Sequence, residues 1–162
     1  MNYSAIKYYD VANGPGVRVS LFVSGCRHHC KNCFNEEAWA FNSGKPFTDR
    51  EVGDIIEHLK PSYIEGITIL GGEPFEPENQ PEVYKLIIKI KEILPQKSIW
   101  IYSGFTLEQL REGSRASGDT CNKILSSVDV LVDGPFIEDL KDISLEFRGS
   151  RNQRILHRGV DF

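Results

Sequence analysis

The sequence predicts an α/β fold: an open partial (β/α) barrel with a mostly parallel sheet, formed as a single domain over residues 1–162. Three observations predict it. Strand patterns and helix patterns alternate from Val17 to Val132, and such alternation builds parallel strands joined by right-handed crossovers. The chain has 162 residues, whereas a closed eight-unit barrel takes about 250, so only part of one fits. All four assigned strands end in clusters of Cys, Gly, Glu, Asp or Pro, the residue types of working loops at the carboxyl ends of barrel strands.

Val17 to Val23 has the β-branched and aromatic content of a strand and runs into the cysteine-rich stretch CRHHCKNC. Thr48 followed by Glu51 is a capping box, and Val52, Ile55, Ile56 and Leu59 recur at helical spacing up to Pro61, which predicts a helix over 49–60. Gly66 to Leu70 reads as a short buried strand stopped by Gly71-Gly72-Glu73-Pro74. Asn79 with Glu82 predicts a second cap, after which Val83, Leu86, Ile87, Ile90, Ile93 and Leu94 mark one helix face before Pro95. Ser98 to Tyr102 is the third strand, closed by Ser103-Gly104. Thr106 and Gln109 cap a short helix, 113–119 reads as a loop, and 119–126 as a further helix. Val128 to Val132 is the fourth strand, before Asp133-Gly134-Pro135-Phe136.

Nineteen Lys and Arg against 23 Asp and Glu give a net charge of -4, a balance that disfavours nucleic acid as the main partner. No apolar run approaches the roughly 18 residues that span a bilayer, and the opening MNYSAIKYYD lacks the apolar core of a signal peptide. A cytoplasmic protein without membrane contact is therefore expected. In that compartment four cysteines do not make a disulfide framework, and three of them fall within eight residues.

Thiolates bind soft metals and iron–sulfur clusters, and Cys26, Cys30 and Cys33 set three of them on one short loop. A [4Fe–4S] cube held at three corners keeps one iron open to coordinate a substrate. The competing readings are structural zinc completed by His28 or His29, and three unrelated buried thiols. Zinc sites usually assemble two separated ligand pairs, whereas Cys121, His58 and His157 are isolated, so the spacing favours the cluster. Cys121 is read as a small semi-buried residue rather than a fourth ligand. His28 and His29 are placed on the loop surface and given no catalytic role.

Gly71 and Gly72 lack Cβ atoms, which lets backbone approach a ligand closely, and Glu73 offers an acceptor suited to an ammonium group. An amino-acid-like ligand fits this set. Ser103-Gly104 and Asp133 stand at equivalent strand ends, where a hydroxyl and a carboxylate reach ribose hydroxyls or an amino-acid moiety, although Asp-Gly-Pro is equally a turn sequence. Asn13-Gly14-Pro15-Gly16 reads as a turn, because it lacks the lysine and helix start of a P-loop. Arg148, Arg151, Arg154 and Arg158 read as a solvated basic tail or one that steers a protein partner, since no aromatic residues interleave with them for nucleic-acid stacking.

On these residues the chain resembles the radical S-adenosylmethionine superfamily, and within it the branch of glycyl-radical activases that serve anaerobic ribonucleoside-triphosphate reductases. The resemblance rests on Asn13-Gly14-Pro15-Gly16, Leu21 to Cys26, Cys30, Cys33, Gly71 to Pro74, Asp133-Gly134 and Arg148-Gly149-Ser150, in order along nearly the whole chain. It implies that Cys26, Cys30 and Cys33 ligate a [4Fe–4S] cluster whose free iron chelates the amino and carboxylate groups of S-adenosylmethionine. It further implies that an electron from a low-potential donor such as flavodoxin cleaves the sulfonium C–S bond. The 5′-deoxyadenosyl radical then takes a hydrogen atom from a glycine in the large subunit of the reductase. Carried over residue by residue, Asn32 and Phe34 on either side of Cys33 meet the adenine, Gly72 and Glu73 the methionine amino group, and Ser103 and Asp133 the rest of the pocket, with Cys33 and Gly71 also in the cofactor-binding set. Many members carry an aromatic residue just before the third cysteine; this chain has Asn32 there, which leaves Phe34 to pack against adenine.

The cysteine motif by itself does not separate this branch from another glycyl-radical activase or from a small-molecule radical enzyme such as a deazapurine-forming one. A short chain with no insertion to enclose a small substrate favours a macromolecule whose own loop enters the barrel mouth. A zinc-binding interaction module without turnover is the reading from a different class.

Overall fold

In the computed structural model, which describes residues 1–162, the chain runs β1 (Asn2–Asp10), β2 (Val17–Val23), β3 (Lys45–Pro46), α1 (Asp49–Leu59), β4 (Ile64–Gly71) and α2 (Gln80–Ile93). It continues through β5 (Ser98–Tyr102), α3 (Leu107–Arg111), α4 (Asp119–Leu125), β6 (Val130–Asp133) and β7 (Arg154–His157). The strands form one sheet in the order β3-β1-β2-β4-β5-β6-β7. Its middle is the set of four strands expected from the sequence, and β2, β4, β5 and β6 are parallel neighbours in chain order. The α/β class holds, but the sheet is mixed. Strand β1 runs antiparallel to β2 and β3, and β7 antiparallel to β6. These three outer strands escape the sequence pattern for a physical reason: β1 and β7 are half-exposed without a clean buried face, and β3 has two residues.

When parallel neighbours follow chain order, right-handed crossovers put every connecting helix on the same side of the sheet. The core obeys this. Val19, Leu21 and Val23 of β2, Ile67 and Ile69 of β4, Ile99 and Ile101 of β5 and Leu131 of β6 pack in one cluster with Ile55, Leu59, Val83, Ile87, Leu110 and Ile124 of the helices. The alternate residues face the other way, where Trp100, Val130 and Val132 form a separate small cluster. The segment after β6 leans over that second face: the Phe147 ring meets Trp100 edge-on at 5.6 Å, and the Tyr102 hydroxyl donates to Phe147 O at 2.5 Å. On the same face Arg18 is fully buried, and its guanidinium donates to Thr68 Oγ1 at 2.9 Å, Ile67 O at 2.9 Å and Ser98 Oγ at 3.0 Å. Burial lowers its pKa to about 10, so at neutral pH it remains a charged bolt across β2, β4 and β5.

Local signals set the starts of α1 and α3, whereas α2 and α4 begin without a side-chain cap. Thr48 N donates to the Glu51 carboxylate at 2.8 Å and Thr106 N to Gln109 Oε1 at 2.9 Å, as the two capping boxes predict. Asn79 does not cap α2: its backbone is already helical, and its amide donates to Ser24 O and Glu73 O, both at 3.0 Å. Strand β6 begins at Val130 rather than Val128, because Val128 N still bonds Ile124 O at the end of α4.

Candidate active site

Four parallel strands deliver their carboxyl-end loops to one edge of the sheet, and a pocket opens there. Cys26, Cys30 and Cys33 line it together with Gly71, Gly72, Glu73, Ser103, Gly104, Gly134 and the rim residue Phe34. Cys26 is buried, and the other two cysteines are half-buried. The loop between them is fixed by its backbone: Cys26 N donates to Trp39 O at 3.0 Å and Cys33 N to Cys30 O at 3.1 Å. His29 and Asn32 adopt left-handed conformations, with φ of 49° and 58°. Asparagine tolerates that region better than a bulky aromatic does, which gives the departure at Asn32 a backbone cause. Asn32 itself is exposed and lies outside the pocket lining, whereas Phe34 stands 82% exposed on the rim.

No three Cys, His, Asp or Glu side chains converge on a site for a single ion. The thiols stand around the pocket wall, as donors to separate corners of a cluster would. One observation fits the set to such a group. The Trp39 indole Nε1 at the pocket is buried with no hydrogen-bond partner, and sulfur is an acceptor for such a donor. The zinc alternative needs an imidazole to join the thiols at one point, and His28 meets Glu73 while His29 stacks on Trp39 at 4.2 Å, with no such convergence.

The glycine pair works differently from the expectation. A Cβ on Gly72 would stand 2.6 Å from Gly25 O and 3.0 Å from Ala38 O, and one on Gly71 2.5 Å from Val23 N. The close approach these glycines permit is therefore to the segment that carries Cys26, and Glu73 N seals it by donating to Gly25 O at 2.8 Å. Glu73 is fully buried, and its carboxylate accepts four hydrogen bonds. Phe75 N (2.9 Å) and Ser103 Oγ (3.0 Å) reach Oε1, while Gly104 N (2.7 Å) and His28 Nε2 (2.8 Å) reach Oε2. Ser103 thus sits in the pocket wall as expected, holding the glutamate.

Three expectations are corrected. Asp133 is not brought to the pocket; its carboxylate accepts from Leu107 N at 2.7 Å and from Arg154 Nε at 3.0 Å. His28 is not a surface residue, since its side chain is 15% exposed and paired with Glu73. Three of the four arginines are not a free tail: Arg154 joins Asp133, Arg158 Nε donates to Val128 O, and Arg148 Nη1 to Gln153 O, whereas Arg151 is exposed. Sequence reasoning also passed over Glu76, which is fully buried and accepts from Arg27 N at 3.1 Å and Arg115 Nε at 2.6 Å. A detectable signal was present: Glu73, Glu76 and Asn79 recur every third residue ahead of α2, and all three turn inward.

A pocket ringed by three thiols at the carboxyl ends of a singly wound α/β sheet marks an iron–sulfur class of protein, and a family model described as "4Fe-4S single cluster domain" matches residues 12–156. Proteins named anaerobic ribonucleoside-triphosphate reductase-activating protein are similar along nearly the whole chain. The one from Escherichia coli (strain K12) is 42% identical over 97% of this chain and 99% of its own, and that of Vibrio cholerae 42% over 98% of each. The one from Enterobacteria phage T4 is 39% identical over 96% of this chain and 93% of its own. The chain belongs to the family of anaerobic ribonucleoside-triphosphate reductase-activating proteins.

Proposed function

We propose that this protein activates an anaerobic ribonucleoside-triphosphate reductase by placing a glycyl radical on its large subunit. The observation that carries this reading is the meeting of Cys26, Cys30 and Cys33 with the Gly71-Gly72-Glu73 loop in one pocket. When bound there, a [4Fe–4S] cluster and S-adenosylmethionine supply the chemistry: reductive cleavage of the sulfonium C–S bond and removal of hydrogen from a substrate glycine. The chain's own residues bind, orient and shield. Cys26, Cys30 and Cys33 are the cluster ligands. Glu73, held by Ser103 and Gly104, receives the amino group of the methionine moiety, with Gly71 and Gly72 shaping the wall beside it. Phe34 on the rim packs against the adenine.

The fold suits a large substrate. Helices on one side only and strands in chain order are the build of a (β/α) barrel, and we read residues 1–162 as one open partial-barrel domain of radical S-adenosylmethionine type. The mouth left open admits a loop of the reductase. The electron comes from a low-potential donor such as flavodoxin. The four free cysteines suit a reducing cytoplasm, and no helix is long and apolar enough to cross a membrane.

The test is anaerobic reconstitution with iron and sulfide, addition of S-adenosylmethionine and a strong reductant, and chromatographic measurement of 5′-deoxyadenosine against Cys30→Ala. Product that depends on Cys30, followed by a glycyl radical signal on added reductase, is expected. A fully loaded cluster that yields no 5′-deoxyadenosine would overturn the reading.

A further inference from the structure

We propose that His28 is a positioning residue that joins the two halves of the site, fixing the Glu73 carboxylate for an incoming amino group and docking the cysteine loop in the same contact. The inference rests on the reading of Glu73 given above. Of the four donors to Glu73, two are backbone N–H groups and one is the buried Ser103 hydroxyl; only His28 belongs to the cysteine loop. An ionised carboxylate only accepts, so the imidazole presents Nε2–H to it across 2.8 Å.

The seat of this ring is built by other loops. A Cβ on Gly104 would stand 2.6 Å from His28 Cδ2, so only glycine leaves room for the imidazole there. The Phe105 ring meets it edge-on at 4.5 Å. His29 does not share this contact: its ring stacks on Trp39 at 4.2 Å. The two neighbouring histidines therefore tie the loop to different partners, His28 to the ends of β4 and β5 and His29 to the residue whose carbonyl holds Cys26 N. A carboxylate oriented in advance spares the ligand the cost of ordering it, which is how a supporting contact raises affinity.

The experiment compares reconstituted wild type, His28→Ala, His28→Gln and Glu73→Gln by iron per chain, by equilibrium dialysis of S-adenosylmethionine, and by the change that this ligand causes in the electron paramagnetic resonance spectrum of the reduced cluster. His28→Ala is expected to weaken binding by about tenfold or more and to blunt the spectral change, with iron near wild type because all three thiols remain. His28→Gln, whose amide N–H replaces Nε2–H, is expected to recover most of both. If His28→Ala takes up no iron, His28→Gln decides: binding near wild type supports the proposal, and binding as weak as Glu73→Gln overturns it. Unchanged affinity in His28→Ala beside a weakened Glu73→Gln overturns this inference alone, and tighter binding makes His28 a competitor and also overturns it. Unchanged affinity in Glu73→Gln sinks the reading of Glu73 on which it rests.

Discussion

Arg154 lies directly opposite Asp133 across the antiparallel pair β6 and β7, and its Nε donates to Asp133 Oδ1 at 3.0 Å. The same carboxylate receives Leu107 N at the first residue of α3, so one buried acid joins a strand, a helix start and the edge strand.

Removing the arginine strands a buried carboxylate with a single donor. Arg154→Ala is expected to cost roughly 2 kcal/mol, the value of a charged hydrogen bond discounted for the 44% exposure of the arginine side chain. Thermal unfolding would fall by about 4–8 °C, and Arg154→Lys, without the planar fork, would lie between. An unchanged melt would show that the pair is surface decoration.

The glycines divide into two kinds. Gly72→Ala drives a Cβ into the Gly25 and Ala38 carbonyls, so it is expected to lower iron uptake by roughly half or more by displacing the segment that bears Cys26. At Gly53 on α1 a methyl group would meet nothing within 4 Å, and Gly53→Ala is expected to stabilise by about 0.5–1 kcal/mol with iron uptake intact. Iron assay and melting curves on both variants check the pair.

Cys121 is fully buried, donates to Leu110 O at 3.4 Å, and has its thiol pushed up to about 12 by burial. The thiolate is the reactive form, so at pH 8 only about one part in ten thousand is reactive. Mass spectrometry after alkylation of the folded, metal-free protein should find Cys121 unmodified while unfolded protein is labelled fully. Fast labelling of Cys121 in the native state would contradict its burial.

Burial alone would raise the Asp10 carboxyl, but Ser20 Oγ at 2.6 Å, Asn13 Nδ2 at 2.7 Å and Ala12 N at 2.9 Å outweigh it and hold it below the usual carboxylate range. Its stabilisation is therefore complete above the ordinary carboxylate value of about 3.9 and is lost as pH falls through the lower folded value. Asp10→Asn should lower the urea midpoint at pH 7 and converge with wild type in strong acid. An equal gap at both pH values would rule out titration of Asp10 as the cause.

The parts read correctly from sequence are those whose cause is local. Val17 to Val23, Ser98 to Tyr102, the boxes at Thr48 and Thr106, and the placing of three cysteines on one loop each depend on residues a few positions apart. Misread residues have distant partners. Asn79 carries a cap signature, yet its amide serves Ser24, 55 residues away, and His28 meets Glu73 across 45. Local propensity ranks what a residue does for its own turn and is silent about what the assembled sheet offers it.

Sequence by itself determined the parallel four-strand centre, the carboxyl-end loops and the gathering of three thiols on one of them, because hydrophobic period, turn chemistry and cysteine spacing are properties of short windows. Only the tertiary structure decided which strand-end acid faces the pocket. Glu73 and Asp133 end strand loops with the same chemistry, but a buried carboxylate goes where donors are. Packing gave Glu73 the donors of the pocket wall and gave Asp133 an arginine on an edge strand that forms only once β6 is in place.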